Sequence, residues 1–187
     1  VIDALDALVR EVGWDVPPGL AAAAGRLERT AWPEVVGRWS RLTPTGFPIE
    51  LTVARDALRR WTSEVAGPEV AEASRLGLVA EVLGEAGTPV PAGLLDSLRA
   101  HQSRGTLRYG AWLGGRSPEG PGPARYKLYA EVPRDAALDV SALPGAMRRM
   151  LEHTPGTGRV RMIGVEPARH RCEVYLRLDP IEPEDLR

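Results

Sequence analysis

Of the 24 Lys and Arg side chains only Lys127 is a lysine, and the chain carries a single cysteine, Cys172, and a single phenylalanine, Phe47. One cysteine excludes an intrachain disulfide and suits a reducing compartment. No apolar run approaches the ~20 residues that cross a bilayer, and nothing resembles a signal peptide, so the expectation is a soluble, cytoplasmic protein that does not engage a membrane. The formal net charge is −1 and the signs are interspersed, which removes the electrostatic case for nucleic acid and requires any anion site to be local. His101, His153 and His170 have no ligand spacing and fall near element ends, as surface residues do. No metal and no cofactor is expected from these residues. Gly114-Gly115 lacks the Gly-Lys-Ser/Thr ending of a phosphate loop. The acidic run Glu182 to Asp185 reads as solvated.

At 187 residues the chain suits one domain, spanning 1–187. It opens without a methionine and stops directly after a strand-like run, which is the expectation for a section of a larger protein. Residues 2–12 have helical spacing, with Gly13 as a stop, and Pro17-Pro18 starts a second, Ala-rich helix through residue 29. Arg38 to Thr43, Phe47 to Ala54 and Leu58 to Ala66 alternate with period two. Val70 to Ala86 is helical, and another helix enters through Pro91 and frays near Gly105. Leu107 to Leu113 and Ala124 to Val132 read as strands joined by a Gly- and Pro-rich loop over 114–123. Ser141 caps a helix with Leu143, Met147, Met150 and Leu151. Val160 to Val165 and Arg171 to Leu178 close the pattern, for about seven strands in all.

The strand at 124–132 organises the rest. It puts Arg125, Lys127, Tyr129 and Glu131 on one face and Tyr126, Leu128, Ala130 and Val132 on the other. The last strand repeats the pattern, with Arg171, Glu173, Tyr175 and Arg177 opposite Cys172, Val174, Leu176 and Leu178. Against so many arginines, a lone Lys127 suggests a position that wants a compact ammonium. The five tryptophans read as packing residues, with Trp39 and Trp112 as the two that could face a chamber. The fold class is α+β, built of helix-pair and antiparallel-strand units. Periodicity leaves two arrangements open: an open sheet with its polar face in water, which it favours, or a barrel whose polar face lines a central chamber with helices outside.

Three runs resemble successive motifs of the ABBA-type aromatic prenyltransferases, in particular the dimethylallyltryptophan synthase and indole prenyltransferase group: Gly46-Phe-Pro-Ile-Glu50-Leu-Thr, Arg60-Trp-Thr-Ser-Glu64 and Lys127-Leu-Tyr129. The resemblance covers most of the chain loosely and rests on about a dozen positions. It implies a barrel with helices outside and a polar central chamber. It further implies transfer of an isoprenoid group from an allylic diphosphate to an electron-rich aromatic acceptor, such as an indole or tryptophan derivative or a peptide. By the same resemblance Glu50 acts on the acceptor's N–H as the catalytic carboxylate, Arg60, Lys127 and Arg171 hold the diphosphate, and Tyr129 and Tyr175 shield the allylic cation. Such chemistry needs these groups: fixed cations for the leaving diphosphate, aromatic faces for the carbocation, and a carboxylate for the proton.

Two departures stand against it. The run Arg171-Cys-Glu173-Val-Tyr175 has a glutamate where the resemblance implies a lysine, and a carboxylate beside a diphosphate is repulsive unless paired, here with Arg171 or Lys127. About seven strands do not close a ten-stranded barrel, so the chain would form an incomplete one that a C-terminal half or a second chain completes. The alternative is a non-catalytic α+β binding module holding an anionic ligand on its cationic face.

Overall fold

A computed structural model of the protein describes residues 7, 11, 15–28, 39–53, 59–117, 123–136, 138–143, 145–152 and 159–177. Within these, four α-helices and six strands follow one another as α1 (Pro18–Glu28), β1 (Ile49–Val53), β2 (Arg59–Ser63), α2 (Glu72–Glu85), α3 (Ala92–Gln102), β3 (Ala111–Ser117), β4 (Arg125–Glu131), α4 (Gly145–Glu152), β5 (Arg159–Glu166) and β6 (Arg171–Arg177). Short 3₁₀ turns lie at Val140–Ala142 and Pro167–Arg169. The expected helix over 2–12, Trp14, Trp32, His153 and the acidic run at 182–185 lie outside the described residues, apart from Ala7 and Glu11.

The six strands form one antiparallel sheet in the order β1-β2-β3-β4-β5-β6, with β1 and β6 as its edges. The fold is therefore α+β with an open sheet among the described residues. Alternation sends one side of each strand into a layer of helices. Leu113, Tyr126, Leu128, Ala130, Ile163 and Val165 from the sheet pack with Leu20 and Leu27 of α1, Leu76, Val79, Val82 and Leu83 of α2 and Leu98 of α3. Each fully buried Leu of this layer contributes about 1.5–3 kcal/mol. Trp61 is a core residue, 2% exposed, and meets Tyr126 edge to face. Tyr126 in turn seats α1, its hydroxyl accepting from the Gly19 amide at 3.2 Å. Cys172 is half-buried against this core, and burial raises its thiol pKa, as suits a small packing residue.

Several expectations are corrected. Residues 39–43 form bends leading into a turn at 44–45, and not a strand, because Ser40 Oγ bonds the Leu42 amide at 3.0 Å and Thr43 Oγ1 bonds the Phe47 carbonyl at 2.9 Å. That leaves six strands among the described residues in place of about seven. β3 starts at Ala111 rather than Leu107 and runs through Gly114-Gly-Arg-Ser117, which had read as loop. His101 is buried, 3% exposed, and burial lowers its pKa. Ser141 does not cap α4; it lies inside the 3₁₀ turn Val140–Ala142, whose own cap is Asp139, accepting from the Ser141 amide at 3.0 Å. No described helix is long and apolar enough to cross a membrane.

Candidate functional site

The face of the sheet away from the helices is a grid in which cross-strand register sets the neighbours. One rung runs Thr52, Arg60, Arg116 and Arg125 across β1 to β4. The next runs Glu50, Thr62, Gly114 and Lys127. A third runs Trp112, Tyr129, Gly164 and Glu173 across β3 to β6. Like charges directly opposite one another destabilise a sheet, yet Arg60, Arg116 and Arg125 stand opposite on three successive strands. Burial, together with the guanidinium groups of Arg169 and Arg116, lowers the pKa of Arg125. Three adjoining guanidiniums in one row are a platform for an oxyanion.

A cavity of 220 Å³ opens over this platform, lined among others by Arg60, Arg116, Arg125, Lys127, Tyr129 and Tyr175. Gly114 and Gly164 make room for its two tyrosines. A Cβ on Gly114 would stand 2.5 Å from Tyr129 Cε2, and one on Gly164 would stand 3.2 Å from Tyr175 Cε2 and 3.5 Å from Tyr129 Cδ1. The two tyrosine rings therefore lean across bare backbone, meeting edge to face with centroids 5.7 Å apart. Lys127 Nζ lies 5.6 Å from the Tyr129 centroid, within cation–π range.

Glu173 is accommodated by pairing. Its Oε1 lies 2.7 Å from Lys127 Nζ, and its Oε2 accepts from the Tyr175 hydroxyl at 2.7 Å. The bond from Lys127, then that from Tyr175, holds the Glu173 pKa below its usual value. Burial and the Glu173 bond push Tyr175 up, so the phenol stays a donor. At the cavity wall Glu166, 5% exposed, lies 3.7 Å from Arg116 and 3.6 Å from Arg169.

Of the residues expected from sequence, Arg60, Lys127, Tyr129 and Tyr175 come together around this cavity. Arg171 does not line it; it sits exposed at the start of β6 opposite Glu166. Glu50 is exposed on the edge strand, on the same rung as Lys127 but outside the cavity. Arg116 escaped sequence reasoning because Gly114-Gly115 hid the strand period. Alternation counted outward from Trp112 would have placed it.

A buried carboxylate was also missed. Glu64 is fully buried and accepts from Ser40 at 2.7 Å, Arg75 at 2.9 Å and Trp112 Nε1 at 3.0 Å. Burial outweighs these bonds and raises its pKa. Its partner Arg75 also donates to the Gly67 and Val70 carbonyls and lies 5.4 Å from the Trp39 ring. Glu64 thereby pins Trp112, whose ring stacks on Tyr109 at 3.9 Å. Among the described residues no three His, Cys, Asp or Glu side chains converge as a metal site.

Comparison with known protein families, curated proteins and solved structures finds no match.

Proposed function

We propose that the polar face binds an allylic diphosphate and, in an assembled barrel, transfers its isoprenoid group to an aromatic acceptor. The observation that carries the donor half is the in-register row Arg60, Arg116 and Arg125 beside the Tyr129 and Tyr175 ring pair. The transfer half rests on the sequence resemblance. The helix-then-hairpin order, repeated along the chain with every strand paired to its sequence neighbours, supports a section of a helix-jacketed barrel. A C-terminal continuation or a second chain would close it.

In this reading the bond between the allylic carbon and the diphosphate oxygen breaks, and its electron pair leaves with the diphosphate toward the arginine row. Positive charge grows on the carbon over the faces of Tyr129 and Tyr175, which stabilise it and keep water away. The acceptor ring attacks that carbon and loses a proton to a carboxylate. Glu50 is the candidate, on the Lys127 rung and about 14 Å from it, three strand spacings along the sheet.

Calorimetric binding of dimethylallyl thiolodiphosphate tests the donor half. The Arg60→Gln/Arg125→Gln variant should bind at least about tenfold more weakly with its melting temperature not lowered. Mass-spectrometric detection of a prenylated indole or tryptophan tests transfer. The Lys127–Glu173 pair favours a second reading, a non-catalytic anion-binding module. Pyrophosphate binding as tightly as the thiolodiphosphate, with no prenylated product, would select it.

A further inference from the structure

Past the Trp112–Tyr109 stack, at the other end of the same face, lies a second cavity of 460 Å³ that shares no lining residue with the first. Five arginines line it: Arg41, Arg108, Arg134, Arg161 and Arg177. They come from separate places, the bends after Ser40, the approach to β3, the exit of β4, and strands β5 and β6. Arg161 is positioned by a bulge in β5, where the register slips between Val160 and Met162. Bulges commonly re-aim side chains beside functional sites.

The single carboxylate among the described lining residues is Glu131, and it is already engaged. Its Oε2 accepts from the successive amides of Arg108, Tyr109 and Gly110 at 2.9, 2.8 and 2.8 Å. Glu131 thus fixes the strand entry through one oxygen, and no described ion pair joins it to the guanidiniums around it. No described ion pair involves any of the five arginines. Arg161 Nε is buried without a hydrogen-bond partner, and a buried donor of this kind is costly unless something accepts from it. Gathering five like charges around one concavity opposes folding and raises the local concentration of anions. Tyr109 and Trp112 give the cavity an aromatic wall.

We propose that this second cavity is an oxyanion site for a small molecule bearing phosphate or several carboxylates, independent of the donor site proposed above. Arg161 supplies the inner donor and the exposed Arg41, Arg108, Arg134 and Arg177 supply the rim. The Tyr109–Trp112 stack contacts the molecule's organic part.

Calorimetric titration of the full chain with pyrophosphate, and separately with citrate, tests it. Exposed Arg108 and Arg134 are the positions of choice, because their change to Gln removes charge without disturbing the core. Arg108→Gln/Arg134→Gln should abolish one binding event or weaken it about tenfold or more, and Arg41→Gln/Arg177→Gln should weaken the same event. Arg60→Gln/Arg125→Gln should leave that event intact. Preference of the event for pyrophosphate identifies a phosphate-bearing ligand, and preference for citrate a polycarboxylate. If neither anion shows an event sensitive to the Arg108/Arg134 and Arg41/Arg177 pairs, the second site is overturned. Loss of binding only in Arg60→Gln/Arg125→Gln would overturn it while sparing the donor site.

Discussion

Replacing Arg75 by Met should destabilise the protein more than replacing Glu64 by Gln, although the two changes break the same ion pair. The side chains of Arg75 and Glu64 are 5% and 1% exposed, so neither can turn to water when its partner goes. In Glu64→Gln the arginine keeps its bonds to the Gly67 and Val70 carbonyls, and the amide oxygen can still accept from Ser40 or Trp112. The expected cost is about 1–3 kcal/mol, that of a weakened buried hydrogen-bond set. In Arg75→Met a buried carboxylate loses its cation, at a cost of about 3–5 kcal/mol. For a chain of this size that lowers the melting temperature by about 6–20 °C. The pH dependence has a definite sign. Burial already raises the Glu64 pKa above 4.5, so its contribution to stability is complete below the unfolded value and is lost as pH rises through the folded one. Removing Arg75 raises that pKa further, because Arg75 was lowering it. The deficit of Arg75→Met should therefore be largest near pH 8 and shrink toward pH 5. Urea denaturation of both single variants and the double variant at several pH values measures this. Equal costs for the two single variants, or a deficit that does not vary with pH, would refute the reasoning.

Glu173→Gln releases Lys127 from its 2.7 Å pairing and should tighten pyrophosphate binding at the arginine row by about three- to tenfold. The wild type should approach that affinity as pH falls below 4.5, since Glu173 titrates below that value in the folded chain; its stabilising contribution, present above the unfolded pKa, is lost over the same descent. Weaker binding in the variant, measured by calorimetry, would contradict the proposed competition. Gly114→Ala sets a methyl 2.5 Å from Tyr129 Cε2, so the ring has to move. We expect a stability cost of about 1–3 kcal/mol and severalfold weaker thiolodiphosphate binding. An unchanged affinity would show that Tyr129 does not contact the donor.

The legible part of the fold was the part with an unbroken period. β4 alternates without interruption, and its faces divide as the sequence implies, with Tyr126, Leu128 and Ala130 buried and Arg125, Lys127 and Tyr129 half-buried on the other side. The helix over residues 70–86 was legible for the same reason, as α2. Glycine erases the signal, which is why β3 beyond Leu113 read as loop and Arg116 was lost with it. Bulges are invisible to a period-two reading, so Arg161 could not be assigned a face. Glu64 shares the period-two position of Arg60 and Thr62. Its burial, however, is made by Ser40, Arg75 and Trp112, partners from three other segments that local pattern cannot bring together. The second arginine cavity draws on bends and element ends, where no periodicity links sequence to position.

Because each of the six described strands pairs with its neighbours in sequence, the sheet can grow at one edge while the chain is still being synthesised from its N-terminus. The arginine row is complete once β4 has docked. Glu166 and Glu173, the carboxylates that border the first cavity, arrive only with β5 and β6. A half-made chain thus displays an uncompensated cationic strip, and the last hairpin to emerge supplies its counter-charge. Truncation before β5 should consequently yield a species prone to adhere to polyanions, and completion of the meander is the step that confines this affinity to small ligands.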